Sequence, residues 1–152
     1  MEKKPPPFPR PETVGKFMLS LGRFYERLYR VPGVGESLVR GWCRNLGRVS
    51  FYSPSGLKRS DNLQGVKETL VESCRKMGFQ LELSGKAGPD QFEFFILECP
   101  YGFHRLDQQG VCDAAMDMDR VMFRLCGGEL RVEDTIPRGA TKCRVTMHKI
   151  SK

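Results

Sequence analysis

Nowhere in these 152 residues does an apolar run approach the roughly 18 to 20 residues of a membrane span. No apolar core of a secretion signal follows the start, Met1-Glu2-Lys3-Lys4-Pro5-Pro6-Pro7, so a soluble, cytoplasmic protein is the expectation. Histidine is scarce: with only His104 and His148, histidine-based acid/base chemistry is limited, and an enzyme here would lean on Cys and Asp. There is no glycine-rich phosphate loop, serine nucleophile elbow or His-Glu-x-x-His helix, which removes the sequence marks of nucleotide, acyl-hydrolase and zinc-protease chemistry. The paired C-x2-C spacing of a structural zinc site is also missing. Acidic residues are few in the front of the chain: residues 1 to 59 hold 12 Lys/Arg against 4 Glu, while 60 to 152 hold 13 against 14. The net charge of +7 is therefore N-terminal in origin. That distribution suits nucleic acid, an anionic surface, an acidic partner or a solvated helical face.

What is present divides into three stretches. Residues 1 to 11 carry five prolines and read as a disordered arm. Residues 12 to 59 form a basic helical segment. Val14, Phe17, Met18, Leu21, Phe24, Tyr25, Leu28 and Tyr29 recur at helical spacing before Pro32-Gly33, and a second helix from Gly35 to Val49 sets Arg40, Arg44 and Arg48 on one row. That row, with Lys58 and Arg59, is the candidate nucleic-acid or partner-binding surface. A loop at Ser53-Pro54-Ser55-Gly56 precedes residues 60 to 152, an α+β region that forms one domain with the helices from residue 12 on.

Within that region, Ser60 or Asp61 caps a helix running to Met77 and stopped by Gly78. Phe79 to Leu83 and Phe92 to Leu97 then alternate as a hairpin, with Phe95, Leu97 and Cys99 on one face. A helix from Val111 to Cys126 and strands near Glu129–Thr135 and Lys142–His148 follow, the last with Cys143, Val145 and Met147 on its apolar side. The expected fold is N-terminal helices packed on a small, mainly antiparallel four-stranded sheet with one crossover helix.

The chemistry collects between Glu98 and Met147. In a reduced compartment six cysteines point to metal binding, catalysis or plain burial. Cys112 opens a helix, where free N–H groups favour a thiolate. Cys99, His104 and Cys143 sit at element ends from which they could approach it, and the set suits zinc or iron. Cys126, seven residues beyond Asp119, is too far along the helix axis to share a metal with Cys112. Asp119 projects into the apolar arc of that helix, where a carboxylate is costly unless it is paired or functional. Cys112 as nucleophile and Asp119 as base are the catalytic candidates; Tyr101, Phe103, Met122 and Thr135 are the ligand-binding ones.

Cys99-Pro100-Tyr101, Cys112 at a helix head, and Thr135 through Gly139 to Cys143 together resemble the C-terminal half of the L-2-amino-thiazoline-4-carboxylate hydrolase-like family. More distantly they resemble the cysteine-bearing 4-vinyl reductase domain. The first resemblance implies a hydrolase that opens a cyclic C=N–S ring, with Cys99, Cys112 and Cys143 near the site. The second implies a small-molecule sensor with those cysteines as a metal cluster. The expectation is thus a small-molecule-binding domain with a cysteine-lined site, acting on or sensing a small organic ligand, with a homodimer left open.

Overall fold

Pro11 occupies the first position of the first helix, where a missing N–H costs nothing. The computed structural model describes residues 11–52 and 59–151. The proline arm expected over residues 1 to 11 therefore falls outside them except for Pro11, as do the Ser53–Gly56 loop and Lys58. Helices α1 (Pro11–Tyr29) and α2 (Gly35–Tyr52) pack together, with Phe24 against Trp42, and α3 (Leu63–Met77) follows. The cap of α3 is Asn62, one residue beyond the expected candidates. Its Oδ1 accepts the Gly65 N–H at 2.8 Å, while Ser60 Oγ accepts from Asn62 itself. Gly78, left-handed at φ 73°, ends the helix as expected.

Strands β1 (Leu81–Ala87), β2 (Gln91–Ile96), β3 (Gly128–Asp134) and β4 (Cys143–Lys149) form one sheet in the order β1-β2-β4-β3, every pair antiparallel. Between β2 and β3 the chain crosses over through α4 (Gln109–Ala115) and α5 (Asp117–Cys126), and β4 then inserts between those two strands. The expected α+β architecture is what forms. Two details differ. The helix expected over Val111–Cys126 is divided at Met116, although the Met116-to-Cys112 and Arg120-to-Met116 bonds carry the hydrogen-bond ladder across the division. In β2 the inward face is Phe92, Phe94 and Ile96, not Phe95 and Leu97. Cys99 is placed by the bend after Ile96, not by strand alternation.

The sheet packs because its inward rows match across strands. Phe94 stands opposite Val145, which stands opposite Val132; Phe92 stands opposite Met147, which stands opposite Leu130. These residues close against Leu63, Val66 and Leu70 of α3 and Met122, Phe123 and Cys126 of α5 to make the first core. A second core joins Tyr25 of α1, Val39 and Cys43 of α2, Tyr101 and Phe103, and Val111, Cys112, Ala114 and Ala115 of α4. Helix α2 reaches α5 at Gly47, where a Cβ would lie 2.5 Å from the Met118 carbonyl oxygen. Among the described residues no helix is long and apolar enough to cross a membrane.

Candidate functional site

Two separate cores in one domain leave an interval between them, and here it is a cavity of about 860 Å³. That volume lies within the range typical of small-molecule sites. Phe94, Val145, Leu130 and Val132 of the sheet form one wall, Leu70 and Cys74 of α3 another, and Met116, Met118, Asp119 and Met122 a third. Exposed residues of α3, Glu68, Glu72 and Lys76, border it on the solvent side.

Of the residues expected at the site, Cys99, Tyr101, Cys112, Asp119, Met122, Thr135 and Cys143 line this cavity. Phe103 does not: it is buried behind Tyr101, their rings stacked with centroids 5.6 Å apart. His104 lies away from the cavity on an exposed loop, where Nδ1–H donates to the Gly102 carbonyl at 2.9 Å. Thr135 is buried and its hydroxyl donates to Gln109 Oε1 at 2.5 Å.

The thiols converge, yet their environment differs from the one expected. Cys112 is buried, and loss of water together with the nearby Cys99 and Cys143 pushes its pKa up to about 12. The physical reason lies in the helix start. A 3₁₀ turn at Leu106–Gln108 runs directly into α4, so Cys112 sits past the free N–H groups that would have favoured a thiolate. Burial also raises Cys99, opposed by the backbone N–H groups of Phe103, Tyr101 and Gly102. Cys143, likewise raised by burial, accepts the Ile136 N–H at 3.4 Å. Among the described residues no group of three or more His, Cys, Asp or Glu is placed to hold a metal ion. Cys99, His104, Cys112 and Cys143 are thus not gathered as a ligand set.

Asp119 is half-buried, and the surface it keeps opens into the cavity. Burial pushes its carboxyl up to about 6, with the Arg120 charge and its own N–H pulling the other way. No described side chain gives it a hydrogen bond or ion pair. The arginines go instead to Asp117, which is buried and meets Arg40 at 3.2 Å, Arg44 at 2.9 Å and Arg120 at 2.8 Å. Arg40 also holds Asp113 at 2.7 Å, and Arg48 donates to Asn45 at 3.0 Å. Arg40 and Arg44, two of the five cations of the candidate nucleic-acid surface, are therefore turned to internal carboxylates. Asp113 and Asp117 repeat the four-residue spacing of Arg40 and Arg44, the one sequence signal of this pairing.

No family model matches this chain, and no curated protein matches it. Among solved structures, it is similar to a crystal structure of trafficking protein particle complex subunit 3 from Naegleria fowleri covalently bound to palmitic acid. The TM-score is 0.61 at 14% identity, over 93% of this chain and 95% of that one. At that identity the likeness is one of fold.

Proposed function

We propose that this protein binds a small, largely apolar organic molecule in the cavity between its two cores, beside Cys99, Cys112 and Cys143. The observation that carries this is the cavity: about 860 Å³, partly open to solvent beside α3, within the size range of small-molecule sites. Its walls are side chains that would otherwise be expected to close on one another. The Naegleria subunit, similar in fold, is described with palmitic acid bound, and an acyl chain is an apolar ligand of the kind this cavity suits. Binding is favoured over turnover through a thiol, because a Cys112 pKa near 12 leaves almost no thiolate at neutral pH. Opening of a cyclic C=N–S ring would fall to Asp119 as general base, for which a pKa near 6 is suitable.

The test is titration with the neutral fluorophore N-phenyl-1-naphthylamine. One saturable site, displaced by octanol and lost in Val132→Trp, is expected; no saturable binding overturns the proposal.

A second copy of the chain is the proposed protein partner. The α1–α2 pair leaves Phe17, Phe24, Trp42 and Tyr52 exposed at 62%, 47%, 49% and 75%, with Phe24 and Trp42 in edge contact. At about 200 Å² per ring these four leave roughly 450 Å² open, over half of the ~800 Å² each partner contributes to a standard interface. Sedimentation should show a dimer that Trp42→Glu dissociates; a monomeric wild type refutes it.

A further inference from the structure

Asp113, Asp117 and Asp119 lie on one stretch of chain, and their surroundings differ. Asp113 meets Arg40 at 2.7 Å and Arg120 at 2.6 Å, and Asp117 meets three arginines. Asp119, two residues further on, meets none, although it is the one that looks into the cavity. The groups within its electrostatic reach on the elements packed around it are neutral: Tyr25 on α1, Cys43 on α2, Cys74 on α3 and Tyr101 after β2. Its cationic neighbour on α5, Arg120, is turned to Asp113 and Asp117.

A carboxylate in such a place is unfavourable in the empty protein and favourable only once a cation arrives. A ligand carboxylate would set like charges together, and a neutral ligand would leave Asp119 as it stands. We infer that the cavity selects an apolar molecule carrying one protonated nitrogen, an alkylammonium, whose tail lies along the Phe94–Val145 wall and whose N–H groups donate to the Asp119 carboxylate. The inference rests on the cavity-binding proposal and adds the class of ligand to it. The carboxyl pKa, pushed up by burial, agrees with it.

The experiment is calorimetric titration of the full chain at pH 7.5 with octylamine, octanol and octanoate, in wild type and in Asp119→Asn. A charge-assisted contact predicts octylamine binding about tenfold or more tighter than octanol, with octanoate weakest. In Asp119→Asn the preference for the amine over octanol should vanish. If octanol binds and octylamine binds no tighter, the ammonium assignment is overturned and the cavity proposal stands. If Asp119→Asn keeps the amine preference, the assignment of Asp119 is overturned. If none of the three compounds binds, both readings fall. The wild-type ranking of amine over octanol needs no variant at all, so it tests the ammonium assignment even where the substitution disturbs folding.

Discussion

Replacing Asp119 with Asn should make this protein more stable at neutral pH, and the size of the gain follows from the burial of the carboxyl. Its pKa stands near 3.8 in the unfolded chain and is pushed to about 6 in the folded one. Between those values the native state holds a proton that the unfolded state has released, so stability falls as pH rises through that window. Below pH 3.8 the penalty is absent; above about 6 it is complete. At about 1.4 kcal/mol per pH unit the shift corresponds to a destabilisation on the order of 2 to 3 kcal/mol at neutral pH. Asn keeps the shape and carries no charge, so Asp119→Asn should recover most of that at pH 7.5 and little at pH 4. Urea denaturation followed by far-ultraviolet circular dichroism at both pH values reads the difference directly. A variant no more stable than wild type at pH 7.5, or a gain that does not change with pH, would refute the claim that this carboxylate is unpaired.

Other outcomes follow from packing and ion pairs. In α2, Gly41→Ala has open space around the new methyl and should stabilise by about 0.5 to 1 kcal/mol. Gly47→Ala, aimed at the Met118 carbonyl, should instead cost about 1 to 3 kcal/mol; equal effects in thermal melts would contradict the α2–α5 crossing. Asp117→Ala leaves Arg44 without its partner and Arg120 with one fewer, and should cost about 3 kcal/mol or more by the same denaturation assay. Alkylation of Cys112 by iodoacetamide at pH 7.5 should be negligible in the folded protein and rapid in denaturant; equal rates would contradict its burial.

The helices and the sheet were legible because each rests on a local period. The i, i+4 pattern of Phe17, Leu21 and Tyr25, and the alternation of Cys143, Val145 and Met147, each name a face without outside help. Strand β2 was ambiguous for a physical reason: Phe92, Phe94 and Ile96 compete with Phe95 and Leu97, so both faces are apolar. The choice is made by β4, whose Val145 and Met147 pair with Phe94 and Phe92, while Lys142 lies over the outward Phe95 ring. Asp119 could be found by projection, because an apolar arc makes a carboxylate conspicuous. The clasp on Asp117 could not, since Arg40 and Arg44 are more than seventy residues away in sequence. The raised Cys112 pKa was hidden for a related reason. Whether a cysteine near a helix start meets free N–H groups depends on the preceding 3₁₀ turn, which carries no apolar period of its own.

The cavity itself is tested most directly by the methionine methyl groups, because among the described methionines five line it and one does not. Met18, Met77, Met116, Met118 and Met122 line the cavity, whereas Met147 is fully buried in the first core and does not. With methyl-labelled methionine, titration with octanol should shift the Met116, Met118 and Met122 resonances together along one saturable curve and leave Met147 nearly unmoved. Shifts absent from all three, or spread evenly over every methionine, would contradict a ligand site between the two cores.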